Sequence, residues 1–319
     1  MIFQHIVLLL FSFLPFRPPV PLHTPPKAVV VSCPEGYSMV PGNAAYHTSD
    51  FCVMKYDASC TNPDPKCVTY EGVYDNALPG CAFRDQFHVV SAPNVPPLTF
   101  IPEDGTASDS AKRYCKNLGG HLLNNDEWMT VARSVEAVPA NWCNPDGTGC
   151  GNPPGTMGKI LVNGHNDSKP NKALPAGRDM EPNYLSDQKR TLELSNGQVM
   201  WDFAGNVWQW VDATIARKYE PHSRIPNLGG SGWVWAEFTT VPYDRTFDPS
   251  NPTWTSVQGV GRIYHYNLPG DTDSTLYTYI RGGNWRHGED SGAFTIHMQP
   301  VPTKTGIDDV GFRCATSPG

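Results

Sequence analysis

Charged side chains are scarce in this sequence. Asp, Glu, Lys and Arg make up 17% of the 319 residues, whereas about 25% is usual in soluble proteins. The formal net charge is −7, and no run of Lys or Arg is present. Nucleic-acid binding relies on clustered cations that neutralise phosphates. We therefore predict no nucleic-acid partner.

A long apolar run is also missing. Residues 6–16 are apolar except where Ser12 and Pro15 interrupt them, and a helix of that length is too short to span a bilayer. The run resembles the apolar core of a signal peptide, although no Lys or Arg precedes it. A proline-rich stretch follows at 18–26. We predict that residues 1–32 are a signal-like run with a linker, and that the protein is exported, secreted or displayed on a cell surface.

Cysteine pairs at zinc-ligand spacing are absent, since no C-x2-C occurs, and a zinc site is not favoured. Cys60 and Cys67 are seven residues apart, as are Cys143 and Cys150, with turn-forming residues between them. Such segments favour local disulfides, of which Cys143–Cys150 is the best single candidate. Free thiols in a reducing compartment are the alternative. The count of nine is odd, so one thiol is left over or pairs with another chain.

Helical periodicity is confined to two segments. The first has Ser108 or Asp109 as its N-cap and ends at Gly119-Gly120; its apolar face is formed by Ala111, Tyr114, Cys115 and Leu118. The second begins near Asn125 and is stopped by Pro139; its apolar face is formed by Trp128, Val131, Ala132 and Val135.

Short strands are predicted in the remaining sequence, at 51–56, 208–212, 277–281, 293–298 and 311–315, together with a hairpin at 192–201 around Ser195-Asn196-Gly197. Residues 57–105 show little periodicity and are predicted to be a surface insertion. The order of elements predicts one α+β domain over residues 33–319.

Four segments carry a resemblance to a known family. They read LLNNDEW at 122–128 followed by Ala132-Arg133, WDFAGNVWQW at 201–210, RGGNW at 281–285 and GFRCA at 311–315. Together and in this order they resemble the formylglycine-generating enzyme family, the sulfatase-modifying domain built on a C-type-lectin-like fold. The resemblance runs from about residue 33 to the end, apart from long insertions.

This resemblance implies a scaffold role for the residues within its motifs: Trp208, Trp210, Arg281, Trp285 and Arg313. Trp208 and Trp210 alternate with Gln209 and therefore share one face of a strand. Arg281 and Arg313 are expected to form buried pairs with Asp202 or Glu127. The fold also implies a Cys52–Cys314 disulfide between paired terminal strands.

The oxidase members of the family use two Cys shortly after the R-G-G-S-W run, in copper-thiolate chemistry that suits Cu(I). Those places fall on His287 and Gly292 here, and no Cys occurs from 286 to 313. We therefore predict no enzyme activity, no cofactor and no metal. The alternative is a sulfatase-modifying-superfamily enzyme with altered metal-dependent chemistry, in which His287, Glu289 and His297 would converge on iron.

A second branch of the fold comprises the variable proteins of diversity-generating retroelements, which are similar to this chain in their closing segment. That likeness implies a non-enzymatic ligand-binding protein with a variable recognition segment at about 281–315. Phe294, Ile296 and Met298 alternate with polar residues, so one strand face is predicted to be buried and the other exposed. An ordinary solvated strand face is the simpler interpretation. The ligand is predicted to be an unidentified protein or glycan, such as one on a cell surface, and the predicted ligand-binding residues are Arg286, His287, Glu289, Asp290, Thr295, His297 and Gln299.

Overall fold

Two helices are present in the described part of the computed structural model, which comprises residues 31–60, 89–104, 110–168, 171–177, 189–221, 232–267, 272–300 and 307–319. Helix α1 is Ala111–Asn117 and helix α2 is Asn125–Ala137. The N-cap of α1 is Ser110, whose Oγ accepts a hydrogen bond from Arg113 N; the predicted caps Ser108 and Asp109 lie outside the described residues. Helix α2 begins as predicted, with a capping box between Asn124 and Glu127.

Sixteen strands are described: β1 Tyr37–Val40, β2 Phe51–Met54, β3 Ala58–Cys60, β4 Val89–Ser91, β5 His121–Leu122, β6 Trp142–Cys143, β7 Ile160–Leu161, β8 Thr191–Glu193, β9 Val199–Trp201, β10 Trp208–Ala216, β11 Gly232–Ala236, β12 Ile263–Asn267, β13 Leu276–Gly282, β14 Gly292–Pro300, β15 Val310–Phe312 and β16 Cys314–Thr316. The predicted hairpin is β8–β9, and each predicted strand overlaps an observed one. The prediction of an α+β domain with two helices and short antiparallel strands is confirmed.

The strands form a four-stranded sheet, a six-stranded sheet and three two-stranded sheets. The two-stranded sheets are β3-β4, β6-β7 and β8-β9. The four-stranded or small sheet has the order β1-β2-β16-β5, and the six-stranded or large one has the order β11-β12-β14-β13-β10-β15. Strand β14 therefore lies inside the large sheet, antiparallel to β13 and parallel to β12. This position determines the environment of the described side chains of β14, those of residues 292–298.

Apolar side chains cover both faces of the large sheet. On one face, Trp128 of α2 stacks on Phe203 at 4.1 Å and donates its indole N–H to Ala293 O at 2.8 Å. On the other face, Trp208 and Trp210 are buried, and the Trp210 indole N–H donates to Ile101 O. The two tryptophans of β10 share a buried face, as the sequence predicted.

The predicted surface insertion at 57–105 contributes to the core where it is described. Strands β3 and β4 pair with each other, and Leu98 and Ile101 are buried against the Trp210 face. The prediction of a purely superficial segment is therefore wrong for these residues, because their few apolar side chains fill the sheet surface without any periodic pattern. Residues 61–88 and 105–109 lie outside the description.

The buried arginines have different partners from those predicted. Arg313 pairs with Asp57 at 2.9 Å and donates to Gln209, and Arg281 donates to Asn125 Oδ1 and Phe294 O. Asp202 pairs instead with Arg190. Glu127 is occupied in capping α2 and in binding His121 at 2.7 Å. Both arginines are fully buried scaffold residues, but their pairing with Asp202 or Glu127 was predicted wrongly.

Three disulfides are described: Cys33–Cys52, Cys115–Cys314 and Cys143–Cys150. The Cys143–Cys150 prediction is confirmed, but the Cys52–Cys314 prediction is wrong. Strands β2 and β16 do pair, yet Cys52 is opposite Thr316, two residues along from Cys314. Because of this offset, Cys52 forms its disulfide with Cys33, and Cys314 forms its disulfide with Cys115 of α1.

Within the described ranges, neither α1 nor α2 has the length and the apolar character of a bilayer-spanning segment. Residues 1–30, which contain the predicted signal-like run and most of the linker, lie outside the described residues. The domain limits of 1–32 and 33–319 stay a prediction.

Candidate functional site

Two glycines at the end of β13 place the predicted recognition residues beside the large sheet. Gly282 and Gly283 have φ of +93° and +79°, a backbone conformation that favours glycine. A Cβ on Gly283 would lie 2.7 Å from Ser291 Cβ, and a Cβ on Gly282 would lie 3.1 Å from Phe203 O. The chain can therefore turn here and pass closely over its neighbours. Residues 286–290, which we call the 286–290 loop, follow after Asn284 and Trp285.

Hydrogen bonds with Asn284 and Asn166 hold the backbone of the 286–290 loop. Arg286 N donates to Asn284 Oδ1 at 2.9 Å. Gly288 N donates to Asn166 O, and the Asn166 side-chain amide donates back to Gly288 O, both at 2.8 Å. The loop has a fixed course because its backbone groups are bonded to the scaffold, so its side chains are presented from a rigid support.

Arg286 is exposed and faces two carboxylates. Its guanidinium lies 4.8 Å from the Trp285 ring centre and 3.5 and 3.9 Å from the Asp308 and Asp309 carboxylates. Burial and the neighbouring Asp308 raise the pKa of Asp309 to about 6, although Arg286 and a hydrogen bond from Asn284 oppose the shift. This part of the surface therefore gains negative charge between mildly acidic and neutral pH.

A second cation lies beside the other end of the loop. Arg262 contacts Glu237 at 2.5 Å, Asp290 at 2.8 Å and Glu289 at 3.6 Å. The Glu289 side chain is 67% exposed, so its ion pair with Arg262 contributes little to stability. Glu289 is thus available to a ligand, whereas Asp290 is tied to the scaffold.

His287 is the centre of a group that we call the aromatic cluster, formed by Trp208, Trp235, Tyr264, His287 and His297. The His287 ring meets Trp235 at 5.1 Å and Trp208 at 5.3 Å, edge to face. Trp235 stacks on Tyr264 at 4.1 Å, and both are only partly buried. Burial and the nearby Arg286 lower the pKa of His287 to about 4. The ring is neutral at pH 7 and acts as an aromatic surface.

The predicted exposure of Thr295 and His297 is wrong. Both are buried, at 0% and 2% exposed, because β14 lies between β12 and β13 and other side chains cover both faces of its residues 292–298. Thr295 Oγ1 donates to Asp290 O at 2.6 Å and so supports the loop, while the His297 ring packs against Tyr264 at 4.7 Å. The Gln299 side chain lies outside the described residues.

The remaining predicted site residues are scaffold. Trp208, Trp210, Arg281 and Arg313 are at most 2% exposed. Trp285 is buried, and its indole N–H donates to Asn171 Oδ1. The structure therefore brings together Arg286, His287, Glu289 and Asp290 at the surface, and places Thr295 and His297 beneath them.

Several contributors to this surface were missed by the sequence analysis: Glu237, Arg262, Trp235, Tyr264, Asp308 and Asp309. Trp235 and Tyr264 had a signal in the sequence. Their segments, GWVWA at 232–236 and IYHYN at 263–267, carry an aromatic residue at every second position, which is the period of a strand. Those segments became β11 and β12, in which Trp235 pairs with Tyr264 and Tyr264 with His297. The charged residues had no such signal, because their proximity depends on tertiary packing.

The alternative iron set is not assembled. His287 and His297 both contact Trp208, but Glu289 is directed to Arg262. Across the described residues, no three His, Cys, Asp or Glu side chains lie close enough together to hold one metal ion.

Comparison with known proteins gives one family match and several similar structures. The family described as "Sulfatase-modifying factor enzyme 1-like domain" matches residues 40–318. No curated protein matches the chain significantly. The solved structures of the Major Tropism Determinant U1 and P3c variants are 13% and 14% identical, each with a TM-score of 0.39. The alignments cover 91% of this chain, which spans about half, 54%, of theirs.

Proposed function

Because this chain belongs to the sulfatase-modifying factor enzyme 1-like domain family, we propose that it keeps the family's scaffold without its oxidase chemistry and works as a ligand-binding protein. In this proposal it is the diversified variable protein of a diversity-generating retroelement. Its ligand, a protein or a glycan, meets the 286–290 loop and the exposed edge of the aromatic cluster.

The observation that supports a non-enzymatic role most directly is the packing of Gly292. This residue stands where the resemblance places one of the two oxidase cysteines. A Cβ at position 292 would overlap the backbone carbonyl carbon and oxygen of Val260. Even a Cys therefore cannot occupy this position unless the backbone moves, and β14 is locked between two strands. The other cysteine position is His287, whose ring is packed into the aromatic cluster.

The chemistry of the surface supports recognition. Arg286 and Glu289 are exposed and carry opposite charges, while Trp235 and Tyr264 offer partly exposed aromatic area. Aromatic and Arg side chains are the usual anchors of binding sites. We assign direct contact with ligand to Arg286, His287 and Glu289, keep Gln299 as predicted, and assign support of the loop to Asp290, Thr295 and His297.

The retroelement part of the proposal has a genomic test. A reverse transcriptase gene and a near-identical copy of the 3′ end of this gene are expected nearby, with mismatches concentrated at adenines of the copy. The mismatches should fall in the codons for Arg286, His287, Glu289 and Gln299, and should spare buried Gly292, Thr295 and His297. If neither the gene nor the copy is found, the retroelement part is wrong and a general binding protein remains.

Export is part of the same proposal. Disulfides such as Cys33–Cys52 and Cys115–Cys314 persist in oxidising compartments, which supports a secreted or surface-displayed protein. Mass spectrometry of protein taken from the culture medium and cell surface, without reduction, would test this. Finding the chain only inside cells with reduced thiols would contradict it.

Binding itself is tested with arrayed glycans and with intact cells as the two sources of ligand. The variant Arg286→Ala/Glu289→Ala keeps the net charge and should lose binding. Its matched control, Glu35→Ala/Lys116→Ala, removes one exposed acid and one exposed base elsewhere and should bind normally. Equal binding by both variants would rule out the loop as the contact surface.

A further inference from the structure

Arg262 lies between the 286–290 loop and the large sheet, immediately before β12. Its backbone N–H donates to Asp290 O at 3.2 Å, and its carbonyl oxygen accepts from Ile296 N of β14 at 3.3 Å. The backbone of this one residue is therefore bonded to the loop on one side and to an inner strand on the other. Its side chain starts from a fixed position beside the loop.

The Arg262 side chain connects two carboxylates from different segments. Its Nε donates to Glu237 Oε1 at 2.5 Å, and its Nη1 donates to Asp290 Oδ1 at 2.8 Å. These are the short distances of charge-assisted hydrogen bonds. The three side chains are 19–28% exposed, so water screens these pairs less than it screens pairs on an open surface. We call Glu237, Arg262 and Asp290 the Arg262 bridge.

Glu237 is the fixed end of the Arg262 bridge. Its carboxylate accepts from Ser256 N at 2.9 Å and from Ser256 Oγ at 2.8 Å, and Ser256 is buried. A carboxylate that accepts several hydrogen bonds has little freedom to turn. The bridge thus transmits the position of a buried residue to Asp290, which is part of the loop.

Glu289 precedes Asp290 and has a different relation to Arg262. The Nη2 atom lies 3.6 Å from the Glu289 carboxylate, which is longer than a hydrogen bond. The attraction is therefore ionic only, and the exposed carboxylate keeps its acceptor sites for a ligand. Since Asp290 is the next residue along the chain, fixing Asp290 also fixes the backbone from which Glu289 projects.

We propose that Arg262 is a positioning residue for ligand recognition, an inference that rests on the proposed function. It ties the 286–290 loop to Glu237 and orients Glu289 toward the ligand. Arg262 acts through these neighbours rather than by touching the ligand itself. Its planar fork suits this role, because it can donate to two carboxylates at once in a fixed geometry.

Amide hydrogen exchange of the ligand-free full chain tests the bridge. In Arg262→Met, amides of residues 286–291 should exchange about tenfold faster, as expected when a charge-assisted hydrogen bond is lost. Amides of residues 279–281 in β13 should exchange as in the native chain, which separates local loosening from a general loss of stability. The matched control Arg113→Met removes an exposed arginine of α1 and should leave the loop unchanged.

Glu237→Gln tests whether the loop is held through Arg262. Gln keeps the side-chain shape but removes the negative charge that fixes the guanidinium. This variant should also speed exchange at 286–291, and adding Arg262→Met to it should give little further increase, because both changes break the same connection. Native exchange of the loop in either single variant, or fully additive effects in the double variant, would overturn the bridge.

Binding to intact cells, measured by flow cytometry, tests the role in recognition. Arg262→Met and Glu237→Gln should both reduce binding, whereas Arg113→Met should bind as the native chain does. Faster loop exchange with native binding would overturn the positioning role. If the native chain binds neither cells nor glycans, the proposed function fails, but the exchange data still decide whether Arg262 holds the loop; the two failures are therefore distinguishable.

Discussion

Gly292 stands where the resemblance places a catalytic cysteine of the oxidase members, and the packing around it leaves no room for a side chain. Gly292→Ala should destabilise the fold by about 3 kcal/mol or more, since an added methyl overlaps the Val260 backbone. Gly119→Ala, at a position with open space but φ of +80°, should cost only about 1 kcal/mol from backbone strain. Denaturant unfolding compares the two variants. Equal losses would show that the strand has room at position 292.

His287 should give the protein a measurable acid sensitivity. Its pKa is lowered to about 4 in the fold, against about 6.5 in the unfolded chain. The unfolded state therefore binds a proton first, and stability falls as pH decreases from 6.5 to 4. Relative to His287→Gln, the native chain should lose about 2–3 kcal/mol over this range. Unfolding curves at several pH values measure it; parallel pH profiles for the two proteins would contradict the packing of this ring.

Arg313 should show the cost of an unpaired buried charge. Arg313→Met leaves Asp57 without its cation and should destabilise the fold by about 3–5 kcal/mol. The double variant Asp57→Asn/Arg313→Met removes both charges and should recover much of that loss. A double-mutant cycle in denaturant reports the coupling between them. Additive losses would mean that the pair contributes nothing specific.

Residue-scale chemistry was only partly predictable from the sequence. The family motifs correctly indicated that Arg281 and Arg313 are buried. Their partners were not predictable, since Asp57 and Asn125 lie more than 150 residues away along the chain. The motifs therefore indicated which arginines are buried, whereas the identity of their partners depends on tertiary packing.

At the scale of elements, a hydrogen bond from Thr295 to Asp290 O connects β14 to the 286–290 loop. Thr295→Val keeps the side-chain shape but removes the hydrogen bond to Asp290 O, and should cost about 1 kcal/mol. Amide hydrogen exchange of residues 286–291 should accelerate in this variant, because the loop loses an anchor. Thr295→Ser keeps the hydroxyl and serves as the control. Unchanged exchange in Thr295→Val would show that the loop is held without this bond.

Strand β14 also shows the limit of periodicity as a guide. Its alternation was correctly taken to indicate a strand, but the polar residues were assigned to solvent. An inner strand with both faces covered can carry Thr and His where each finds a partner, as Thr295 does in Asp290 O and His297 in the aromatic cluster. Helix α2 was easier to predict, because Trp128, Val131, Ala132 and Val135 repeat with helical spacing, which is a local signal.

At the scale of the whole molecule, the Cys115–Cys314 disulfide joins residues 199 apart in sequence, and Cys143–Cys150 joins residues only seven apart. Replacing the first pair with Ala should cost about 5 kcal/mol, and replacing the second about 2.5 kcal/mol, because the longer loop restricts the unfolded chain more. Denaturation of the two double variants measures the difference. A larger loss from the shorter loop would show that native-state packing dominates instead.

Pairings across the whole chain were the least predictable feature. The family resemblance led us to expect that the terminal strands pair, and β2 does pair with β16. The register could not be known, and an offset of two residues was enough to exchange the cysteine partners. Fold class and motif positions therefore follow from sequence patterns, while register and disulfide connectivity follow from three-dimensional packing.

The tryptophans of the aromatic cluster give the candidate binding surface an intrinsic spectroscopic signal. Trp208 and Trp235 lie 6.4 Å apart with rings only 12° from parallel, and the neutral His287 ring touches both. A ligand that settles on the partly exposed edge of Trp235 would change the polarity around this pair of indoles. Ligands can therefore be screened by intrinsic fluorescence and near-ultraviolet circular dichroism of the unlabelled protein.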